Sequence, residues 1–406
     1  MIHERRVWVT GIGVVSALGR DRHAFTQALR AGTSGITRLS LFDPTPYRSV
    51  FAGEAPTPAP PSHLGPFRRC SRADLLGLQA AAEAVEDAGL SRGDLRAAAL
   101  ILGTGAGGSD RTAAYLEKLH RSGERRAPAA WLVPHQPANT ADLIANRLGI
   151  CGPRCTLMTA CSSSATALGT GLDMIRLGRV ERVLAGGAEA LCQLTYAGFS
   201  TLRAMDPNPC RPFHAERKGL TLGDGAALVV LEDAVLAKER GAAPYAELAG
   251  YGVSADAHHL TAPPPDGRGA IAAMTAALQD AGVEPHQVDY VNAHGTATPH
   301  NDPVEVLAIR EVFGDHARGG GLAVSSTKAM TGHTLGAAGA IEAAISAISI
   351  REGVLPPTLR LDRVDEACRG IDLVPERPRE ARLRAVLSNS FAFGGNNTSV
   401  VLRSVP

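Results

Sequence analysis

The sequence predicts a layered α/β fold built from two similar halves, residues 1–240 and 241–406. Short apolar strands alternate with alanine-rich amphipathic helices along the chain, which is typical of layered α/β proteins. The length of 406 residues is too great for one ordinary hydrophobic core and favours two lobes. A strand, a polar turn and a helix of small residues occur around Cys161 and again around 328–333, which indicates an internal repeat.

The elements of the first half follow from apolar runs that end in glycine or small polar residues. Ser71 is a suitable N-cap and leucines recur after it, so we expect a helix over 71–87. The apolar run 156–158 is expected to be a buried strand, and the small residues after Cys161 are expected to be helical. The glycine run 103–108 lacks the ending of a phosphate loop and is expected to be a tight loop. The other expected strands are 7–15, 97–102, 182–185 and 228–231.

The second half repeats this alternation of strands and helices. Its expected strands are 245–253, 288–292 and 322–325, and its first expected helix is 270–281. Small residues at 336–340, like those after Cys161, imply that two helices pack closely together. We therefore expect two central helices between two sheets.

The composition excludes several classes of protein. The chain has 41 Lys and Arg against 40 Asp and Glu, which argues against a nucleic-acid-binding protein. No stretch is long enough and free enough of charge to span a membrane, and the start of the chain has no apolar signal core. Seven scattered cysteines include Cys151 and Cys155, which have no second pair at zinc-binding spacing. We expect reduced thiols in a cytoplasmic protein without a metal.

Three polar turns carry side chains suited to one reaction. Cys161 lies between an expected strand and an expected helix, where the positive end of the helix dipole is expected to lower the pKa of the thiol. His294 and His333 also follow expected strands and stand beside Gly or Thr. A thiolate with two imidazoles can transfer an acyl group and then assist chemistry at a second carbonyl.

The motifs, read in order, resemble those of the β-ketoacyl-acyl-carrier-protein synthases, which are elongating condensing enzymes of the thiolase-like superfamily. The resemblance covers essentially the whole chain. The chain looks most like the type II elongating branch and the related polyketide ketosynthases. The motifs are Val9-Thr10-Gly11-Ile12-Gly13, Thr159-Ala160-Cys161-Ser162-Ser163, Arg211-Pro212-Phe213, Leu222-Gly223-Asp224-Gly225-Ala226, Asn292-Ala293-His294-Gly295-Thr296, Ser325-Ser326-Thr327-Lys328, Gly332-His333 and Asn389-Ser390-Phe391-Ala392-Phe393-Gly394-Gly395.

This resemblance implies a five-layered α-β-α-β-α sandwich and a dimer, either of identical chains or with a chain-length factor. It also implies that an acyl chain moves from a carrier-protein thioester to Cys161. A malonyl thioester then loses carbon dioxide, and its carbanion attacks the acyl-enzyme to give a 3-oxoacyl thioester. No tightly bound cofactor is expected, because the substrates arrive on the phosphopantetheine arm of acyl carrier protein.

The resemblance also assigns roles to individual residues. The backbone amides of Cys161 and Phe393 match an oxyanion hole, and His294 and His333 match the donors to the enolate. Lys328 matches a lysine that orients this centre. Further matches are Glu342 beside the centre, Thr296 and Thr298 on the phosphopantetheine arm, Phe391, Ala392 and Gly394 in a gate, Leu132 in the acyl pocket of the partner subunit, and Arg68, Arg69, Arg72 and Arg203 in carrier-protein docking.

Alternative functions differ in pathway or in catalytic competence. The enzyme could act in fatty-acid elongation, or as the ketosynthase of a type II polyketide or polyene pathway. A chain-length factor would lack the nucleophile, so Cys161 argues against one. A thiolase uses a second cysteine near the C-terminus, but Cys368 lies in a charged stretch rather than in a glycine-flanked turn.

Overall fold

A computed structural model describes residues 5–123 and 126–405. Its strands are β1 (Val7–Ser16), β2 (Ile36–Arg38), β3 (Phe51–Gly53), β4 (Ala99–Gly103), β5 (Arg154–Leu157), β6 (Arg182–Glu189), β7 (Gly225–Asp233), β8 (Ala246–Ala255), β9 (Tyr290–Asn292), β10 (Ala323–Ser325), β11 (Val354–Leu355), β12 (Arg379–Glu380), β13 (Ala385–Phe391) and β14 (Asn396–Arg403). Its helices are α1 (Arg22–Ala31), α2 (Arg72–Asp87), α3 (Arg92–Leu95), α4 (Ser109–Ser122), α5 (Asn139–Leu148), α6 (Ser163–Arg176), α7 (Gln193–Thr201), α8 (Ala234–Glu239), α9 (Arg268–Ala281), α10 (Asn301–Arg318), α11 (Lys328–Thr331) and α12 (Ala338–Glu352).

Ten of the strands form one mixed sheet in the order β10-β9-β13-β14-β8-β1-β7-β6-β4-β5. Five of these strands lie before residue 240 and five after it. If the strands of each half are numbered in chain order, both halves show the same order from the centre of the sheet to its edge. In both halves the first strand pairs antiparallel with the last, and the second pairs parallel with the third and the fourth. The division of the chain into residues 1–240 and 241–406 stays a prediction, which this symmetry supports.

The helices form layers on both faces of the two half-sheets. Side chains of α6 and α12 pack between the half-sheets against β1, β7 and β8. Helices α2 and α5 cover the outer face of the first half-sheet, and α9 and α10 cover the outer face of the second. The five-layered α-β-α-β-α order and the two central helices expected from the sequence are therefore confirmed.

The expected elements are present, with bounds that differ by a few residues. Helix α2 begins after Ser71, whose hydroxyl accepts from the Asp74 N–H while the Asp74 carboxylate accepts from the Ser71 N–H, a capping box. The expectation of a buried strand at 156–158 is wrong. Strand β5 lies at the edge of the sheet, and Met158, just after it, is 52% exposed. Among the described helices, none combines the length and the apolar character needed to cross a membrane.

Candidate active site

The turn between β5 and α6 presents Cys161. A short 3-10 turn at Ala160–Ser162 leads directly into α6, so the cysteine lies at the N-terminal end of that helix. Ala160 has φ of +54°, a strained value for a residue with a side chain. The Ser163 hydroxyl donates to the Ala160 carbonyl at 2.6 Å and accepts from the Thr159 N–H at 2.9 Å. These bonds hold the strained turn and aim the cysteine inward, where it is 6% exposed.

The structure brings His294 and His333 to Cys161. The cysteine sulfur and one ring nitrogen of each histidine all lie within 4.8 Å of one another, and all three residues are buried. The two imidazole rings meet edge to face with centroids 5.4 Å apart. His294 follows β9, and its backbone N–H donates to Glu305 Oε1 at 2.8 Å. His333 follows α11, and its backbone N–H donates to the Thr221 carbonyl at 2.7 Å.

The Nδ1 atoms of both histidines accept hydrogen bonds from outside the cluster. Lys328 Nζ lies 3.2 Å from His294 Nδ1, and an ammonium group can only donate. The Leu335 N–H donates to His333 Nδ1 at 3.1 Å. In a neutral imidazole whose Nδ1 accepts, the proton is on Nε2. Both rings are therefore set to present an Nε2–H donor.

Burial, together with a nearby cation, keeps both imidazoles neutral. Burial lowers the pKa of His294 well below its usual value, and the nearby Lys328 cation lowers it further. Burial and Lys328 lower the pKa of His333 in the same way. Lys328 is 1% exposed and forms a buried ion pair with Glu342. A thiol with two imidazoles could also bind zinc by ligand type, but the adjacent ammonium group disfavours a divalent cation here.

The expectation of a lowered thiol pKa is wrong for the resting site. Burial raises the pKa of Cys161 to about 11, which outweighs the opposing effects of Lys328 and the Phe393 backbone N–H. The helix position is as expected, but the sulfur is shielded from water, and desolvation disfavours the thiolate. The resting cysteine is therefore a thiol, and its proton must leave during the reaction.

Residues 391–395, which we call the gating loop, lie over the cysteine. The Phe393 ring stacks on Phe199 of α7 with centroids 6.0 Å apart, and the Phe391 ring lies 6.1 Å from that of His294. Gly394 and Gly395 have φ of +84° and +75°, so the turn itself depends on glycine. Phe199 was missed at the sequence level, because no motif marks it.

A cavity of about 330 Å³ opens over Cys161. Thr296 and Thr298 line it as expected, and their hydroxyls are 2.8 Å apart. Arg203 and Lys218 are exposed and also line it. Lys218 was not singled out from the sequence, where it is one charge in a mixed run. The cavity also has His294, His333, Phe391, Phe393 and Gly394 among its lining residues.

The other expected site residues lie outside this cavity. Arg68 and Arg69 are exposed just before α2. The expectation that Arg72 offers its charge to a carrier protein is wrong, because its guanidinium donates to the buried Asp224 carboxylate at 2.6 Å and is 13% exposed. Leu132 is 37% exposed in a 3-10 turn that does not line the cavity.

Cys368, which a thiolase would need as a second active-site cysteine, lies in the outer core with α9 and α10. Burial raises the pKa of Cys368 to about 12. It does not belong to the cysteine and histidine cluster. The structure thus gives no support to the thiolase alternative.

Two family descriptions match the chain. Residues 4–237 match "Beta-ketoacyl synthase, N-terminal domain", and residues 245–362 match "Beta-ketoacyl synthase, C-terminal domain". The chain belongs to the β-ketoacyl synthase family. Among curated relatives of this synthase, 3-oxoacyl-[acyl-carrier-protein] synthase 2 of Coxiella burnetii is 39% identical over 416 residues, which cover 100% of both chains. The protein of the same name from Staphylococcus aureus strain N315 is 37% identical over 99% of each chain.

Solved structures of ketosynthases share the fold of the synthase. The ishigamide ketosynthase/chain length factor superposes with a TM-score of 0.94 at 37% identity, covering 99% of this chain and 100% of the other. A type II polyketide synthase acyl-carrier protein in complex with its ketosynthase gives a TM-score of 0.89 at 30% identity, with the same coverage.

Proposed function

We propose that this synthase is a 3-oxoacyl-[acyl-carrier-protein] synthase that extends a Cys161-bound acyl chain by decarboxylative condensation with malonyl-carrier protein in fatty-acid elongation. The observation that carries the proposal is the cluster of one buried thiol and two neutral imidazoles within 4.8 Å, at the base of an open cavity. We place the enzyme in the cytoplasm and expect it to need no tightly bound cofactor.

In the first half-reaction the Cys161 sulfur attacks the thioester carbonyl of an acyl-carrier protein. The carbon–sulfur bond to the phosphopantetheine arm breaks, and the proton of Cys161 passes to the departing thiol, so the step is neutral overall. The developing oxyanion accepts from the backbone N–H groups of Cys161 and Phe393. Loss of such a donor costs about 3–4 kcal/mol of transition-state stabilisation in other acyl-transfer enzymes.

In the second half-reaction a malonyl thioester loses carbon dioxide. The electron pair of the broken bond moves onto the thioester as an enolate, whose oxygen accepts from the Nε2–H groups of His294 and His333. The enolate carbon then attacks the acyl carbonyl on Cys161, the carbon–sulfur bond to the cysteine breaks, and the departing thiolate takes up a proton from water. A neutral imidazole stabilises the enolate oxygen by donating a hydrogen bond. An imidazolium cation would form an ion pair with that oxygen and make the enolate carbon a weaker nucleophile.

The cavity fits a substrate that arrives on a long arm. Thr296 and Thr298 offer hydroxyls along its wall to the amides of phosphopantetheine. The exposed charged side chains that line it include the cations Arg203 and Lys218, while the carboxylate of Asp256 in the lining is buried. Carrier proteins are acidic, so these cations, with the exposed Arg68 and Arg69, suit an acidic partner.

A second candidate is the ketosynthase of a type II polyketide or polyene pathway. It is favoured by the TM-score of 0.94 to the ishigamide ketosynthase/chain length factor. In that case the partner chain would be a chain-length factor instead of a second copy. Both candidates share the chemistry at Cys161 and differ in the acyl chain accepted.

Mass spectrometry of the intact protein tests the proposal and separates the candidates. Incubation with a panel of acyl-carrier thioesters is expected to add one acyl group at Cys161, with saturated chains preferred by a fatty-acid enzyme. Cys161→Ala is expected to abolish acylation and condensation, while Cys151→Ala, at an exposed position, leaves both unchanged. Undiminished elongation by Cys161→Ala would refute the assignment.

His333→Ala tests the second half-reaction. Removing one of two enolate donors is expected to lower the rate of malonyl decarboxylation by about 10²–10³-fold, by analogy with other oxyanion donors, and acylation of Cys161 much less. The matched control is His316→Ala, which removes a half-buried imidazole bonded to the Val288 carbonyl. Equal loss of both half-reactions in His333→Ala would contradict the enolate role.

A further inference from the structure

Glu189 is a buried carboxylate that the reaction above does not use. It is the last residue of β6 and is fully buried. Its Oε2 accepts from the Gly105 N–H at 2.6 Å and from the Gly336 N–H at 3.1 Å, and its Oε1 accepts from the Ala106 N–H at 3.0 Å. One side chain thus binds the loop after β4 in the first half and the turn before α12 in the second.

The turn before α12 determines the state of His333. Leu335 has φ of +48°, a left-handed conformation that is costly for leucine and persists only where the surroundings enforce it. The Leu335 N–H donates to His333 Nδ1. The next N–H, of Gly336, is the one that Glu189 binds. The Glu189 carboxylate therefore fixes the peptide group that follows Leu335. The Leu335 N–H, next to that peptide group, is the donor that keeps the His333 proton on Nε2.

The two loops that Glu189 binds are also in direct contact. A Cβ added at Gly336 would lie 2.3 Å from the Gly105 nitrogen, so backbone packs on backbone there. Three N–H donors converge on this point, and a carboxylate is a side chain that only accepts. The chemistry of the site thus explains why an acidic residue is buried here: burial raises the pKa of Glu189 to about 7, and the backbone N–H donors oppose that rise.

We propose that Glu189 is a positioning residue for the malonyl half-reaction: by fixing residues 335–337 it directs the Nε2–H of His333 at the enolate oxygen. This role rests on the proposed function. Glu189 acts through backbone amides and touches no reacting atom, and its charge is the weakest of the influences that act on the pKa of Cys161. Its effect should therefore fall more on decarboxylation than on the attack of Cys161.

The test compares Glu189→Asp with Glu189→Gln. Asp keeps the charge but withdraws the carboxylate by one carbon–carbon bond, about 1.5 Å, so it can no longer reach Gly105, Ala106 and Gly336 together. Gln keeps the reach, and its carbonyl oxygen in the Oε2 position retains the bonds to Gly105 and Gly336, whereas its NH2 group faces the Ala106 N–H, donor against donor. A matched control is Glu83→Asp, which shortens another carboxylate that binds backbone N–H groups, those of Val14 and Arg22.

Two rates are measured for each variant: acylation of Cys161 by mass spectrometry, and release of carbon dioxide from malonyl-carrier protein. Glu189→Asp is expected to lower decarboxylation about tenfold, as for the loss of one charge-assisted hydrogen bond, and acylation by less than about threefold. Glu189→Gln loses the Ala106 bond and is expected to unfold at lower temperature, but because it keeps the Gly336 bond the ratio of decarboxylation to acylation should stay within about threefold of that of the parent. Glu83→Asp is expected to change neither.

Equal losses of acylation and decarboxylation in Glu189→Asp would overturn the proposal, since they would indicate a general loss of folded enzyme. Decarboxylation in Glu189→Asp equal to that of the parent would overturn it as well. A parent protein inactive in both half-reactions would instead contradict the proposed function and the role of Glu189 with it.

Discussion

Lys328 governs the charge balance of the active site at the scale of single residues. Its ammonium pairs with Glu342 and donates to His294 Nδ1, all within buried surroundings. Burial raises the pKa of Glu342 to about 7, and the Lys328 cation opposes that rise. The same cation helps to keep the pKa of both catalytic histidines low. One lysine therefore maintains two neutral donors and the tautomer of one of them.

Lys328→Met is expected to slow malonyl decarboxylation and to change its dependence on pH. In the parent enzyme the histidines take up a proton only at pH well below 6.5, because their pKa values are lowered. Removing the cation lets those pKa values rise, so protonation begins at higher pH. A proton on Nδ1 of His333 would face the Leu335 N–H, donor against donor. The acid limb of the pH–rate profile should therefore move to higher pH.

The measurement is the rate of carbon dioxide release between pH 5 and 9 for Lys328→Met and for Lys238→Met, which removes an exposed lysine on α8. The control is expected to match the parent profile. An acid limb at the same pH in Lys328→Met and in the parent would show that the cation does not set the histidine pKa values.

At the scale of elements, the strand-turn-strand unit of β13, the gating loop and β14 lies beside Cys161 in the wall of the cavity. Ala392 lies between the two phenylalanines of the gating loop. Its φ is not positive, and its N–H donates to the Asn396 carbonyl at 3.1 Å. The positive φ values belong to Gly394 and Gly395. The conformational freedom of the loop thus resides in the two glycines.

Gly395→Ala is expected to impair condensation, whereas Ala392→Gly is expected to be nearly neutral. At Gly395 a left-handed residue with a Cβ costs about 1–2 kcal/mol, and that Cβ would lie 2.7 Å from the Asp256 Cβ. Steady-state condensation rates and thermal unfolding of both variants provide the check. Equal effects of the two substitutions would show that the backbone conformation of this turn does not limit the gate.

The sequence predicted elements well where periodicity and caps decide, as in α2 with its Ser71 cap. It failed where a distant partner or the sheet edge decides. Residues 156–158 are apolar like a core strand, but their exposure depends on β5 being the last strand of the sheet. Arg72 lies in a basic run, yet Asp224, 152 residues away, binds its guanidinium. The pKa of Cys161 depends on burial that local sequence does not encode.

At the scale of the whole molecule, the two edges of the ten-stranded sheet differ. Strand β10 is covered by the segment at Asp372, whose carbonyl accepts from the Val324 N–H at 2.8 Å. Within residues 5–123 and 126–405, no strand pairs with the outer side of β5. Met158 beside β5 is 52% exposed, and Val133, next to Leu132, is 57% exposed. An open edge with exposed apolar side chains favours pairing with a second chain.

Met158→Glu is therefore expected to weaken the dimer. A carboxylate placed beside β5 would have to be desolvated in an interface formed there, at a cost of several kcal/mol when unpaired. Val235→Glu is the matched control, because Val235 is 64% exposed on α8, away from this edge. Sedimentation velocity over a range of protein concentrations should show monomer for Met158→Glu where the parent and the control remain dimeric. Since Leu132 is proposed to complete the partner's acyl pocket, condensation should fall with the dimer fraction. A dimer that survives Met158→Glu unchanged would show that the interface does not lie at the β5 edge.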